Sequence, residues 1–142
     1  MISVQKIADA KQLETVFAIR QKVFVEEQKV PLDEEYDEFE KTSLHYLATV
    51  DGVPAGVARW RETEKGVKLE RFAVLPEFRN KEVGSYILKQ VLSDVKQAHK
   101  NKTIYLHAQL PAIPFYARQG FQKVGEQFSE CDIEHFKMIL QD

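Results

Sequence analysis

Hydrophobic and polar positions in the first third of the chain predict a strand followed by a helix. Residues 1–7 alternate between apolar and polar side chains, which is the period of a half-buried strand. After Asp9, which suits a helix N-cap, apolar residues recur at helical spacing until Pro31 ends the pattern. Arg20 is the one charged residue on that apolar stripe. The acidic segment 33–40 predicts either a short helix or an ordered loop.

The middle of the chain has the pattern of three consecutive strands joined by tight turns. Asp51-Gly52 is a strong signal for a two-residue hairpin, and residues 64–66 contain the next turn. Pro76 stops the third strand because proline cannot donate a hydrogen bond to a sheet. The predicted strands are residues 44–50, 53–62 and 67–75.

The second half of the chain alternates helices and strands. Apolar residues from 83 to 95 recur at helical spacing and predict a long amphipathic helix, and residues 103–109 predict a compact strand. Pro111 and Pro114 suit the first turn of a short helix, and Gly120 suits its C-terminal end. Two further strands are expected at roughly 122–128 and 133–140.

This order of elements predicts an α/β (α+β) fold. We expect a mixed, mostly antiparallel central sheet of about six to seven strands with helices on both faces, in a single domain over residues 1–142. The long helix connects strands 67–75 and 103–109, and a right-handed crossover of this kind makes these two strands parallel. Ligands in such sheets bind beyond the carboxyl ends of the parallel strands, where residues 79–84 lie.

Composition and charge narrow the class of protein. The 142 residues are 44% hydrophobic and 30% charged, which is typical of a globular domain. The net charge of -2 gives no global attraction to nucleic acid or anionic membranes. Cys131 is the only cysteine, and neither a signal peptide nor a membrane span is apparent, so we expect a cytoplasmic protein without nucleic-acid or membrane partners. Four scattered histidines and one cysteine form no ligand cluster, and no metal is expected.

Two stretches of the sequence, LERFAVLPEFRNKEVGSYIL and LHAQLPAIPFYARQGF, resemble the GNAT superfamily of N-acetyltransferases in order and spacing. The stretches VFVEEQKVP and IEHFKMIL further resemble its YjcF-like and ElaA-like bacterial group. The resemblance covers nearly the whole chain. It implies the GNAT fold, acetyl-CoA as co-substrate, and direct transfer of the acetyl group to an amine in a ternary complex. The acceptor would be a small molecule or a peptide, and the protein a monomer or homodimer.

The phosphate loop of the superfamily is matched only in part. Arg79 and Gly84 fit its pattern, whereas Glu82 takes the place of the first glycine and Asn80 another position often filled by glycine. Asn80 tolerates a left-handed backbone better than most residues, so part of the turn should survive. The alternative is an ordinary helix start, in which Glu82 complements the helix dipole.

The resemblance implies a set of cofactor contacts along this part of the chain. Backbone groups of residues 72–74 would bind the pantetheine arm and polarise the thioester carbonyl, and the N–H groups that follow would hold the pyrophosphate. The Ser85 hydroxyl adds a contact or is an ordinary exposed helical serine. The cofactor-binding candidates are Phe72, Ala73, Val74, Arg79, Asn80, Lys81, Glu82, Val83, Gly84, Ser85, Gln109 and Tyr116.

Tyr116 matches the tyrosine that the superfamily often uses as general acid. A phenol, with a pKa of about 10, can donate a proton to a departing thiolate, whose thiol has a pKa of about 8.5. The alternative is a half-buried helix aromatic with a satisfied hydroxyl. Gln109 stands where the superfamily often has a cofactor-binding asparagine, or it caps the next helix.

Glu70 is the candidate general base, because the superfamily sometimes places a catalytic glutamate on this strand. An amine has a pKa near 10.4, so a group is needed to take its proton. The alternative for Glu70 is a salt-bridged carboxylate paired with Arg59 or Arg61 on the neighbouring strand.

The acceptor-binding candidates are less specific. His107 and His135 are titratable strand residues, and a lone strand histidine is more often structural. Arg20 and Glu26 belong to the first-helix region, which in the superfamily helps to build the acceptor wall. Arg20 binds an acceptor carboxylate or makes an internal ion pair, and the acidic run 33–40 attracts a cationic amine or forms a solvated face.

Two other assignments remain open at this stage. The glycine-poor loop favours a non-catalytic module that senses CoA or binds a protein through its acidic segment, whereas Tyr116 favours catalysis. Cys131 has no histidine at the spacing of a nucleophilic dyad, and we treat it as incidental.

Overall fold

A seven-stranded sheet runs through the structure, which is a computed structural model describing residues 1–141. The strands are Ile2–Lys6 (β1), Leu44–Val50 (β2), Val53–Thr63 (β3), Gly66–Val74 (β4), Ile104–Gln109 (β5), Phe121–Glu130 (β6) and Ile133–Leu140 (β7). They lie side by side in the order β1-β2-β3-β4-β5-β7-β6. β4 and β5 pair in parallel, and the remaining neighbours pair antiparallel. The predicted mixed sheet and its parallel crossover are confirmed.

The helices begin and end close to the predicted positions. They are Ala10–Arg20 (α1), Leu32–Glu35 (α2), Val83–Ala98 (α3) and Ile113–Arg118 (α4), with 3₁₀ turns at Pro76–Phe78 and Leu110–Ala112. Asp9 caps α1 as predicted, since its carboxylate accepts a hydrogen bond from the Gln12 amide at 2.8 Å. α1 continues directly into a π-helix, Gln21–Glu27, which the apolar pattern did not predict. Within residues 1–141, none of the helices combines the length and apolar character needed to cross a membrane.

Helices cover both faces of the sheet, as the sequence predicts, and each face has its own apolar cluster. On one face α3 packs Ile87, Leu88 and Val91 against β-strand residues such as Leu69 and Leu106. The other face is covered by α1 and the π-helix. That second cluster comprises Val16, Ile19, Val23, Phe24, Val30, Leu47, Val57, Ala73 and Leu75.

Two irregularities of β4 open the sheet at its carboxyl end. β4 pairs with β5 only from Val67 to Leu69, so the strands diverge beyond that point. Between its pairings with β3, β4 places both Arg71 and Phe72 opposite Ala58, which is a β-bulge. Arg71 has φ +58°, in the left-handed region. The divergence leaves the β5-facing edge of β4 without a partner strand over its last residues.

Candidate active site

Two concave surfaces meet where β4 and β5 diverge. The first, the loop groove, has a volume of roughly 610 Å³ and lies between the end of β4, the segment from 78 to 85, and α4. The second, the sheet cavity, has a volume of roughly 330 Å³ and lies between the π-helix, α2, the diverging strands and the β6–β7 hairpin. The residues that line both are Phe72, Ala73, Val74, Arg79, Ala112 and Tyr116.

The loop before α3 makes its turn without glycine at the strained positions. Asn80 has φ +63° and Glu82 has φ +68°, so both hold left-handed conformations. Glu82 also lines the loop groove, with its side chain exposed. Gly84 lies inside the first turn of α3, where a Cβ would come 3.5 Å from the Phe115 ring. Asn80 thus holds the left-handed conformation expected of it, whereas Gly84 has no positive φ and a Cβ there would make only an ordinary contact with Phe115.

The N-terminus of α3 presents free backbone donors to the loop groove. The first intrahelical bond runs from the Tyr86 amide to the Glu82 carbonyl oxygen at 3.1 Å, so the amides of residues 83–85 precede the helical ladder. Glu82, at the N-cap position, makes no side-chain hydrogen bond to them. Unpaired amides at the positive end of a helix dipole are a ready site for an anion. Lys81 is exposed and lies outside the groove lining.

Arg79 ties the loop to the π-helix. Its guanidinium donates two hydrogen bonds to Glu27, at 2.8 and 2.7 Å, and a third to the Val74 carbonyl oxygen at 2.9 Å. The hydrogen bonds from Arg79 lower the pKa of Glu27. The Arg79 side chain thus lies on the boundary between the two concave surfaces. Its pairing with Glu27 was not predicted from the sequence.

Tyr116 lies at the junction of the loop groove and the sheet cavity. It is buried, and Phe72 contacts its ring edge-on with centroids 6.2 Å apart. Burial raises the pKa of Tyr116 above that of an ordinary phenol. The hydroxyl therefore keeps its proton at neutral pH, which a general acid requires, although the higher pKa reduces its driving force for proton donation.

Glu70 is engaged by three cations, which speaks against the predicted role as general base. Its carboxylate accepts hydrogen bonds from Arg59 and Arg61 and lies 3.2 Å from Lys68 Nζ. Burial would raise the pKa of Glu70, but the charges of Arg59 and Lys68 with the Arg61 hydrogen bond lower it to about 2. A carboxylate that binds a proton so weakly is a poor base at neutral pH. The structure matches the salt-bridge alternative.

Arg20 is likewise internal, which corrects its assignment to the acceptor wall. The side chain is only 1% exposed, and it bonds Glu35 at 2.8 Å and Glu40 at 2.8 Å. Arg59, equally buried, is bonded by Asp37 and Glu40 as well as Glu70. Three carboxylates of the acidic run 33–40 point inward and act as counterions of these arginines. The run is therefore not a uniformly solvated face, and not all of its carboxylates are available to attract a cationic amine. The sequence contains a signal for this arrangement, because each of the two arginines lies within an apolar stretch. A cation buried with such a stretch needs a partner.

Both predicted histidines line the sheet cavity, but some of the other acceptor-binding candidates do not. His107 and His135 both line it, whereas Glu26 is exposed and outside its lining. Gln109 lines the sheet cavity rather than the loop groove, and its amide donates to Gln28 of the chain segment after the π-helix at 2.9 Å. It makes no capping hydrogen bond to the following turn. Ser85 lines the loop groove and is half-buried.

Several lining residues carry no sequence signal that we could read. Glu130 and Arg71 enter the sheet cavity because of a hairpin and a bulge, and both features depend on strand register. Gln28 lies there because the π-helix shifts the end of the first helical segment. No group of three or more metal-ligating side chains occurs in the described part of the chain, residues 1–141.

Comparison with known proteins gives matches over nearly the whole chain. The family model of the acetyltransferase (GNAT) domain matches residues 6–141. The protein named "Uncharacterized N-acetyltransferase YjcF", from Bacillus subtilis (strain 168), is 37% identical over 130 residues, covering 91% of this chain and 92% of that protein. The crystal structure of Escherichia coli ElaA superposes with a TM-score of 0.86 at 25% identity, covering 99% of this chain and 100% of that one. An acyl-CoA N-acyltransferase from Pseudomonas aeruginosa gives a TM-score of 0.82 at 25% identity, with 99% of both chains covered.

Proposed function

Because the chain belongs to the GNAT family of acetyltransferases, we propose that this acyltransferase uses acetyl-CoA to acetylate an amine of a small molecule or peptide. In this proposal the amine attacks directly, within a ternary complex. The observation that carries the proposal is the meeting of the loop groove and the sheet cavity over residues 72–74, with Tyr116 in the lining of both. One surface would hold the acyl donor and the other the acceptor.

The loop groove fits the phosphate end of acetyl-CoA. Its volume of roughly 610 Å³ is within the usual range for cofactor sites. The free amides of residues 83–85 would hold the pyrophosphate, and Asn80 and Glu82 supply the left-handed turn that aims them. Glu82 adds a carboxylate beside that position, so the affinity is expected to be lower than for a loop with glycine there.

The end of β4 fits the thioester end. Beyond Leu69 the strand has no partner on the β5 side, so its backbone on that edge is available to a ligand. Backbone groups of residues 72–74 on that edge would bind the pantetheine arm and donate a hydrogen bond to the thioester carbonyl oxygen, where negative charge develops during transfer. Tyr116 would give its proton to the departing sulfur, since a phenol whose pKa burial raises is fully protonated at neutral pH.

Thiol release from acetyl-CoA in the presence of a panel of primary amines tests this function. We expect release that depends on the amine, with the acetylated product identified by mass. Tyr116→Phe should lower kcat roughly 100-fold while the KM for acetyl-CoA stays within about twofold, because the acid acts only in the transfer step.

The matched control is Tyr86→Phe, which changes an exposed tyrosine on α3 outside both linings and should leave kcat unaltered. Turnover by Tyr116→Phe equal to that of the parent would exclude the acid role. Absence of thiol release with every class of amine would contradict the proposed acetyl transfer itself.

A further inference from the structure

His135 lines the sheet cavity, and a hydrogen bond fixes the role of one of its ring nitrogens. Its Nδ1 atom lies 2.7 Å from the Ile133 carbonyl oxygen, and a carbonyl oxygen can only accept a hydrogen bond. Nδ1 must therefore carry the hydrogen. In the neutral ring this fixes the tautomer and leaves a lone pair on Nε2.

The His135 ring is held in place from two more sides. It stacks on Phe128, with ring centroids 5.7 Å apart and planes 20° apart. Its Nε2 lies 3.8 Å from Glu130 Oε1. The imidazole is 7% exposed and lines the sheet cavity, so it is both oriented and within reach of a molecule bound there.

Glu130 lies between two imidazoles. Its Oε2 accepts a hydrogen bond from His107 Nδ1 at 3.1 Å, while Oε1 faces His135. The hydrogen bond from His107 lowers the pKa of Glu130, so the carboxylate is ionised at neutral pH. Glu130 thus places a carboxylate 3.8 Å from the ring nitrogen that would take up a proton.

The position of His135 along the sheet suits the transfer step. It pairs with Gln109, the last residue of β5, and β5 runs parallel to β4 in a register that pairs Leu106 with Leu69. Three residues further along β5, and with the bulge at Arg71 and Phe72 taken into account, Gln109 comes level with Phe72–Ala73 across the gap between the diverging strands. His135 is therefore near the level at which the thioester carbonyl would be held, whereas His107 is two residues deeper, level with Glu70.

We propose that His135 Nε2 is the general base of acetyl transfer and that Glu130 is a positioning residue for it. This inference rests on the proposed function and names the base that Glu70 cannot supply. His135 takes one proton from the acceptor ammonium. The neutral amine then forms a C–N bond with the thioester carbon, and the C–S bond breaks. Tyr116 protonates the sulfur, the nitrogen of the new amide loses the second amine proton through solvent to the Tyr116 phenolate, and the imidazolium releases the first proton to water.

Other charged groups near His135 are engaged elsewhere. Lys68 pairs with Glu70 and Arg71 with Glu35, each across 3.3 Å or less, while Glu34 contacts the Cys131 thiol at 3.4 Å. The titratable or charged groups that share the cavity with His135 are Glu34, Glu35, Lys68, Glu70, Arg71, Arg79, His107, Tyr116, Glu130 and Cys131. Glu130 is the carboxylate in contact with the His135 ring, so its charge should dominate the response of the base.

The test is the pH dependence of kcat/KM for one acceptor amine. The parent enzyme should lose activity on the acidic side within the range pH 5–8, where imidazoles titrate. His135→Gln should lower kcat/KM for the amine about 100-fold and abolish that acidic limb, with the KM for acetyl-CoA within about twofold. Glu130→Gln should move the limb to lower pH, because removal of the negative charge disfavours imidazolium.

His99→Gln is the matched histidine control, since His99 lies at the end of α3 outside both linings, and its profile should equal that of the parent. An unaltered limb in His135→Gln, or loss of the limb in His107→Gln alone, would overturn the assignment. Failure of the parent to acetylate any amine would instead count against the proposed function.

The ¹⁵N shifts of the His135 ring give a readout that needs no turnover and no variant. At pH 8 we expect a protonated Nδ1 and a lone pair on Nε2. The opposite tautomer would overturn the inference even if the His135 variant proved unable to fold.

Discussion

Asn80 and Glu82 adopt the left-handed backbone that glycine provides without strain. A left-handed conformation costs an ordinary residue about 1 kcal/mol or more, and asparagine tolerates it better than glutamate does. Glu82 carries a second cost, since its carboxylate borders the proposed pyrophosphate position. The Glu82 side chain therefore disfavours both the left-handed backbone conformation and the binding of an anionic ligand. The neighbouring structure preserves the turn despite these two costs.

Substitution of Glu82 separates these two costs. Both Glu82→Gly and Glu82→Gln remove the charge and should tighten CoA binding by about 1 kcal/mol, roughly fivefold in Kd. Only Glu82→Gly should also raise the free energy of unfolding by about 1 kcal/mol, because glutamine keeps the strain. Calorimetric titration with CoA and denaturant unfolding measure the two effects.

Glu77→Gln is the control for this pair of variants, because it removes an exposed carboxylate of the preceding 3₁₀ turn, outside the groove lining. Unchanged or weaker CoA affinity in both Glu82 variants would mean that the carboxylate points away from the phosphates.

Sequence predicted individual site residues where a motif specifies backbone geometry. Tyr116 and, apart from Lys81, the residues from Arg79 to Ser85 line the two concave surfaces, and their roles there stay predictions. Glu70 could not be assigned in this way, because its pKa depends on Arg59 and Lys68, and their distances from the carboxylate are set by the sheet register. The tautomer of His135 is equally a product of the folded backbone.

At the scale of elements, a buried charge cluster, made of ion pairs between arginines and carboxylates, links the α2 segment to the sheet and to α1. Arg20 from α1, Arg59 from β3 and Arg71 from β4 converge on carboxylates between residues 35 and 40. Ion pairs with this little exposure lose much of their hydration, so each member depends on its partners. The cluster therefore holds the wall of the sheet cavity in place.

Arg20→Met should destabilise the protein by about 3 kcal/mol, because Glu35 and Glu40 would keep buried charges without their partner. Denaturant unfolding checks this value. Lys11→Met, at an exposed position of the same helix, is the control and should change the free energy of unfolding by no more than about 0.5 kcal/mol. A loss as small as the control's would show that the Arg20 ion pairs contribute nothing to stability.

Helices and strands were predictable to within a few residues, but their irregularities were not. The apolar spacing at Val16, Val23 and Phe24 fits an α-helix, and it is met equally by the α-to-π transition that the structure contains. The π-helix contacts β4 and α2, and these tertiary contacts cannot be read from the local sequence. The bulge at Arg71 likewise arises from pairing with β3.

For the molecule as a whole, the charge cluster determines how stability responds to acid. Burial would raise the pKa of both Asp37 and Glu70, but their arginine partners outweigh it and lower each pKa to about 2. For Glu40, burial would raise the pKa, but the interaction with Arg20 outweighs it, so the pKa is also lowered. Burial raises the pKa of Glu35, against partial compensation by Arg71 and Arg20.

Stability should therefore fall as the pH decreases from about 5 to 2, by about 2 kcal/mol or more. A carboxylate with a lowered pKa contributes stability above its unfolded pKa near 4, and this contribution is lost as the pH falls toward 2. Glu35 acts in the opposite direction, but three groups outweigh one. Asp37→Asn should flatten the dependence measured by denaturant unfolding at several pH values, while Asp33→Asn, at an exposed site, should not. Stability that is constant over this range would contradict the ionised cluster.

The parallel pairing of β4 and β5 followed from the sequence through the right-handed crossover rule, whereas the place of β7 between β5 and β6 was not predicted. The junction of the loop groove with the sheet cavity was not predicted either, because it depends on how far β4 and β5 diverge beyond Leu69. The distance between β4 and β5 is set by the tertiary structure, because the two strands are not adjacent in the sequence.

The central claim is that backbone amides at the end of β4 and the start of α3 bind acetyl-CoA. Amide ¹H–¹⁵N spectra recorded during titration with CoA test it most directly. We expect saturable shifts at residues 72–74 and 83–85, with strands β1 and β2 unaffected. Spectra that stay unchanged at millimolar CoA, or shifts confined to other parts of the chain, would contradict the account.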